Sequence, residues 1–263
     1  MQTSSHIESI VKRDRWIVIF GLVALIAIAW SYTIWVAQSN TGMDMSMGMD
    51  SGNVRHWTGI DFTLMFAMWV VMMVAMMVPS AAPMILLFAT VNRRRQEQSG
   101  PFVSTGVFLS GYLVVWGVFS FGATMANWGL HQASLLTSMM GSSSNDYLGG
   151  AILVTAGLFQ WSRLKYVCLT HCRSPINFLM SGWKDGTAGA LKMGLQHGKY
   201  CLGCCWILMA LLFVLGVMNL VWIAALAAFV LLEKIIPGGA KVSKLTGVLL
   251  VAWGTWVILV AAF

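Results

Sequence analysis

Cysteine and histidine side chains are concentrated in one part of the chain. All five cysteines lie between positions 168 and 205, in two short motifs that also contain two histidines. Helical spacing would place the side chains of each motif on one face. Thiolates and imidazoles bind soft and borderline metal ions, so the motifs predict an inner metal site. Its candidate ligands are Cys168, His171, Cys172, His197, Cys201, Cys204 and Cys205.

Three kinds of chemistry fit this set. Cu(I) would take two or three thiolates, with Met209 as a further ligand. Zinc would take four Cys and His ligands as a structural staple. Cys201 and Cys204 also form a Cys-x-x-Cys dithiol, which suits a redox function. Buried cysteines without any ligand are the remaining alternative, because free cysteine is among the most buried residue types.

Methionines form a second set of soft ligands. Four of them alternate with small or acidic residues between positions 43 and 49. A thioether is uncharged and selects soft ions such as Cu(I), so this segment is a candidate outer metal site. A flexible linker that happens to be rich in methionine is the alternative. The candidate ligands are Met43, Met45, Met47 and Met49.

A second methionine pattern has helical spacing. Met65, Met68, Met72 and Met76 are three or four residues apart, so a helix would place them on one face. Ordinary packing is the alternative, since methionine fills gaps well. As a ladder of thioethers leading inward, the row adds Met72 and Met76 to the candidate metal ligands.

The segments that carry these residues have the composition expected of membrane spans. The chain has 263 residues, of which 58% are hydrophobic and 10% charged. This composition predicts an all-α polytopic membrane protein with about seven transmembrane helices. A cytoplasmic N-terminus and a periplasmic C-terminus leave only Arg55 of the 16 Lys and Arg residues outside. The expected spans are 16–37, 60–91, 102–125, 147–164, 201–217, 221–236 and 245–263.

This arrangement of spans divides the chain into two units. Residues 1–59 would hold the N-terminal span and the Met-rich periplasmic loop, and residues 60–263 a six-helix metal-binding core. Pro79 and Pro83 are expected to kink or break the second span. The segment 188–200 can extend the fifth span as a helix. Glu233, near the inner end of the sixth span, is either functional or a salt-bridged or solvated interfacial residue.

Residues of about 60–255 resemble a bacterial family of predicted metal-binding integral membrane proteins of unknown function. The similarity rests on Met72-Met-Val-Ala-Met-Met-Val-Pro79, on Cys168 to Pro175, on His197 to Trp206, and on the Gly216–Asn219 and Glu233-Lys234 segments. The family usually has proline where Arg163 stands. The resemblance implies metal binding in a membrane and does not include the segment 43–49.

Copper explains both the methionine and the cysteine sets with one metal, so Cu(I) is the expected ligand and zinc the alternative. We expect a multi-pass protein of the bacterial inner membrane that binds Cu(I) for uptake, delivery or homeostasis. The alternatives are a membrane thiol-disulfide oxidoreductase and an accessory or assembly subunit of a membrane copper enzyme.

No catalytic residue stands out, which favours a non-enzymatic function. Expected partners are the lipid bilayer and a soluble metallochaperone or membrane copper enzyme. The basic residues lie in short loops, which argues against nucleic acid.

Overall fold

The computed structural model describes residues 2–47, 57–97, 103–133 and 145–262. Within these ranges all regular secondary structure is helical, which confirms the all-α prediction. The helices are α1 (Gln2–Met47), α2 (Gly59–Glu97), α3 (Thr105–Gln132), α4 (Asp146–Phe159), α5 (Arg163–Arg173), α6 (Pro175–Gly182), α7 (Gly186–Ala210), α8 (Leu212–Leu215), α9 (Leu220–Ile235) and α10 (Gly239–Ala262).

Five segments of the described chain are long and apolar enough to cross a membrane. The other two expected spans fall on shorter helices, since α4 has 14 residues and α9 has 16. A span perpendicular to the membrane needs roughly 20 residues. The seven-span count therefore stays a prediction. The five segments are Trp16–Ser39, Gly59–Gln96, Thr105–Gln132, Gly186–Leu215 and Gly239–Ala262.

The expected fourth span ends earlier than its hydropathy suggests. Helix α4 stops at Phe159, and α5 begins at Arg163. Ser162 caps α5, because its hydroxyl accepts a hydrogen bond from the Lys165 backbone N–H at 3.1 Å. This turn separates α5, which carries two of the cysteines, from the apolar helix before it.

Helix α2 continues through both of its prolines, so of the expected kink or break at Pro79 and Pro83 the break does not occur. Proline lacks a backbone N–H, so Pro79 leaves the carbonyl of Ala75 without its helical donor. The indole N–H of Trp30 on α1 donates to that carbonyl instead. A replacement donor from a neighbouring helix is one of the ways in which apolar bundles tolerate such prolines.

Helices α3 and α7 pack backbone against backbone. A Cβ atom added to Gly111 would lie 2.5 Å from the Leu191 carbonyl oxygen, and one added to Gly194 would collide with the Phe108 carbonyl. Such close approach is typical of small residues at helix interfaces in membranes. Helix α7 includes 188–200, as expected, and the chain then turns at Gly216, whose φ is 96°.

The Met-rich segment falls at the end of the described part of α1. The backbone of α1 is helical as far as Met47, beyond the expected span end at Ala37. Met49 lies outside the described residues, and so do the side chains of Met43, Met45 and Met47. The outer metal site therefore stays a prediction.

Candidate metal site

Three cysteines of α7 form the centre of the candidate site. Cys201, Cys204 and Cys205 are fully buried, and their helical spacing directs them to one face of the helix. The thiols of Cys204 and Cys205 donate to the Cys201 carbonyl, with sulfur–oxygen distances of 3.0 and 2.9 Å. Both sulfur atoms are thereby turned back along α7 toward Cys201.

The methionines of α2 before Pro79 reach these cysteines. This methionine row consists of the predicted face together with its neighbours Met73 and Met77. Met77 Sδ lies 4.0 Å from Cys205 Sγ. The other methionines of α2 before Pro79 are at most 2% exposed, so they face the interior of the bundle and not its outer surface. The contact joins a row of thioethers to a group of thiols, two ligand types that both select soft metal ions. The buried residues of the row are Met65, Met68, Met72, Met73 and Met76.

Polar groups from three other helices surround Cys201. The ammonium group of Lys234 on α9 donates to Cys201 Sγ at 3.1 Å and to Ser80 Oγ on α2 at 2.8 Å. The hydroxyl of Tyr112 on α3 lies 3.2 Å from the same sulfur and donates to the Met77 carbonyl at 3.0 Å. Cys201 Sγ is thus held between a buried ammonium group and a phenol hydroxyl.

The two cysteines of α5 lie beside the α7 cysteines. Interaction with the Cys204 side chain raises the pKa of the Cys172 thiol. Cys168 lies against Gly203, since a Cβ atom added there would be 2.6 Å from Cys168 Sγ. Burial raises the pKa of Cys168. Cys172 therefore belongs to the same group of sulfur atoms as the three α7 cysteines.

The two predicted histidine ligands lie in different surroundings. The His171 ring stacks on Tyr200 with centroids 4.2 Å apart, and its Nδ1 lies 2.9 Å from the Val167 carbonyl. It lines a surface cavity of about 310 Å³. His197 is buried between the rings of Tyr112 and Phe178. Neither ring nitrogen of His197 has a hydrogen-bond partner among the residues described.

The thiols do not form a closed shell around one point. In the described ranges, no three His, Cys, Asp or Glu side chains are grouped so that they could hold one ion. A structural zinc site would need four such ligands in tetrahedral geometry. The arrangement offers pairs of sulfur atoms instead, including the thiol and thioether pair of Cys205 and Met77. Low-coordinate sulfur ligation of this kind suits a soft ion.

Sequence reasoning missed the groups from other helices that lie around Cys201. Lys234 of α9 and Tyr112 of α3 contact its sulfur, and Ser80 of α2 accepts from Lys234, so no local motif brings these groups together. Lys234 could have been singled out from the sequence, because an ionisable residue in an apolar helix usually has a specific partner in the protein interior. Glu233, by contrast, is not solvated at an interface but fully buried against Lys165.

Comparison with known proteins agrees with the soft-metal character of the site. A family model described as PpoB2, copper chaperone, matches residues 66–257, which include all five cysteines, Met77 and Lys234. Comparison with curated proteins found no match, and comparison with solved structures found none. Because the family model covers most of the chain, the protein belongs to the PpoB2 family of copper chaperones.

Proposed function

We propose that the protein binds Cu(I) within the bacterial inner membrane and transfers it between the methionine row of α2 and the cysteines of α7. The observation that carries this proposal is the contact between Met77 Sδ and Cys205 Sγ, 4.0 Å apart. Two sulfur atoms at this separation can share one ion or pass it from one to the other. Thioethers and thiols both select Cu(I), and membership of a copper chaperone family supports copper as the cargo.

The membrane setting is supported by how the side chains are distributed. Large apolar residues on the outside of the bundle are exposed, among them Phe20 at 65%, Ile28 at 69% and Trp256 at 67%. Charged Lys165, by contrast, is only 1% exposed. Such a surface suits lipid and not water. We propose seven spans with the N-terminus cytoplasmic, in which α4 and α9 cross as short or tilted helices.

In this orientation the cysteines lie near the cytoplasmic face and the methionine row leads to them from the periplasmic side. The chain would deliver copper to a soluble metallochaperone or to a copper enzyme of the same membrane. Met72 and Met76 belong to the path, and the cysteines to its inner end. His171 and His197 stay candidate ligands for an intermediate step.

Copper content and X-ray absorption of the purified full-length protein test the proposal. We expect about one copper per chain at the thiol site, with sulfur as the scattering neighbour, when copper and zinc are both supplied. Cys201→Ser and Cys205→Ser should each lower the copper content, whereas Met84→Leu, a buried methionine beyond Pro79, should leave it unchanged. Copper no higher than in a variant with all cysteines changed to serine would refute the proposal.

A thiol-disulfide oxidoreductase is the second candidate, and the contact between Lys234 and Cys201 favours it because a neighbouring cation activates a thiolate. All five cysteines are free thiols in the structure. Trapping thiols in cells after an oxidant pulse separates the two functions. Reversible disulfides together with an absence of bound copper would support the redox function.

A further inference from the structure

Lys234 places a positive charge inside the bundle, directly against the thiol group. It is 8% exposed, and its ammonium group lies 3.1 Å from Cys201 Sγ and 2.8 Å from Ser80 Oγ. A hydroxyl carries no charge, so Ser80 satisfies a hydrogen bond but does not compensate the ammonium group. An ammonium group in a low-dielectric interior needs an anion nearby.

The adjacent carboxylate does not serve as that anion. Glu233 accepts from Lys165 Nζ at 2.8 and 3.0 Å and also from the Ser243 hydroxyl. Its charge is therefore already compensated by Lys165. Within the described part of the chain, Lys234 forms no ion pair with a carboxylate. Of the two groups that the ammonium group contacts, the Cys201 thiol and the Ser80 hydroxyl, the thiol is the one that metal binding converts to an anion.

Metal binding creates thiolates next to Lys234, and the net charge of the resulting complex depends on the charge of the ion. A thiol loses its proton when it binds a metal. Two thiolates around a monovalent ion carry a net charge of minus one, and the ammonium group of Lys234 brings the total to zero. Two thiolates around a divalent ion are already neutral, so Lys234 would add an uncompensated buried charge.

From this balance we infer that Lys234 is the counter-ion of a two-thiolate complex and makes the site selective for monovalent soft ions over divalent ones. The inference rests on the proposed function. A divalent ion could restore neutrality only with a third thiolate. The described thiols do not offer a group of three ligands around one point. Met77 adds a ligand without adding charge.

The test compares the affinities of purified full-length variants for Ag(I) and Cu(I), as monovalent probes, with their affinity for Zn(II), using competing chelators. In Lys234→Met we expect the ratio of monovalent to divalent affinity to fall by about tenfold or more. A tenfold change corresponds to about 1.4 kcal/mol, which is modest for the loss of a buried charge interaction. Lys234→Arg keeps the charge and should retain the ratio. Lys241→Met removes an exposed cation of α10 and should leave the ratio unchanged.

Lys234→Gln provides a second neutral variant, which retains hydrogen bonding to Ser80 and should show the same fall. A ratio that is unchanged in a folded neutral variant would overturn the inference, and so would wild-type protein that binds Zn(II) as tightly as Ag(I). Wild-type protein without any Cu(I) binding would instead refute the proposed function. A fall in Lys234→Met that Lys234→Arg does not show would confirm that charge, and not shape, sets the selectivity.

Discussion

The indole N–H of Trp30 donates to the carbonyl of Ala75, with 3.1 Å between Nε1 and the oxygen. Ala75 is fully buried and stands four residues before Pro79, whose missing N–H would otherwise have filled this role. A buried carbonyl without a donor costs free energy. This hydrogen bond therefore couples α1 to the part of α2 that carries the methionine row.

Changing Trp30 to phenylalanine should lower the free energy of unfolding by about 1–3 kcal/mol, because it leaves the Ala75 carbonyl without a donor. Denaturant titration in lipid nanodiscs measures the loss. Trp35→Phe is the control, since that side chain is 64% exposed. Adding Pro79→Ala to Trp30→Phe should recover most of the loss, because alanine at this position supplies the helical N–H again. A double variant no more stable than the single one would contradict this account.

Replacing Met77 with leucine should reduce Cu(I) affinity while stability changes by less than about 1.5 kcal/mol, because the two side chains have similar volumes. The expected loss is roughly tenfold in affinity, which corresponds to about 1.4 kcal/mol of binding free energy. Competition with a Cu(I) chelator measures it. Met84→Leu is matched in burial and helix, and should bind copper like the wild type. Equal losses in the two variants would show that the Met77–Cys205 contact has no special role.

Glu233→Gln should be one of the most destabilising single changes in the protein. Lys165 and Glu233 are both 1% exposed, so the change leaves a buried ammonium group without its carboxylate. Breaking a buried pair in this way costs about 3–5 kcal/mol. The double variant Lys165→Met and Glu233→Leu should be less destabilised, because no charge remains. Lys244→Met, at an exposed position on α10, should stay within about 0.5 kcal/mol of the wild type.

Gly111→Ala tests the close packing of α3 on α7. The added methyl group would lie 2.5 Å from the Leu191 carbonyl oxygen, so the helices must move apart. We expect a loss of about 1–3 kcal/mol, as for other overpacked interfaces. Gly117→Ala on the same helix meets nothing within 4 Å and should be neutral or stabilising. Similar thermal midpoints for the two variants would argue against tight packing at Gly111.

Local patterns predicted the helices and several of their ends. The break between the expected spans 201–217 and 221–236 is an example, because the Asn219 side chain accepts from the Val221 and Trp222 backbone N–H groups and so begins α9. The spacing of three and four also placed Met65, Met68, Met72 and Met76 on one face of α2, and all four side chains are buried. In both cases the signal lies within one turn of helix.

Contacts between helices could not be predicted in the same way. The stop of α4 at Phe159 is a different case: the cap formed by Ser162 is a local signal, but the apolar run from Tyr147 to Leu164 continues across it and masks it. Burial of Glu233 depends on Lys165, which is 68 residues away. The arrangement around Cys201 likewise depends on the packing of α9 against α2 and α7. Such pairings come from tertiary packing, on which residue spacing within one helix carries no information.

Methionine and cysteine differ in what an arriving ion displaces. A thioether has no proton to lose, whereas a thiol must release one before its sulfur binds a metal. On the proposed function, movement of copper along α2 is therefore independent of proton concentration. Transfer of the ion from Met77 to Cys205 releases a proton. High pH therefore favours the ion on Cys205, and low pH favours the ion on Met77. On the proposed function, the junction of these two side chains thus makes the transfer of copper to Cys205 a proton-releasing step.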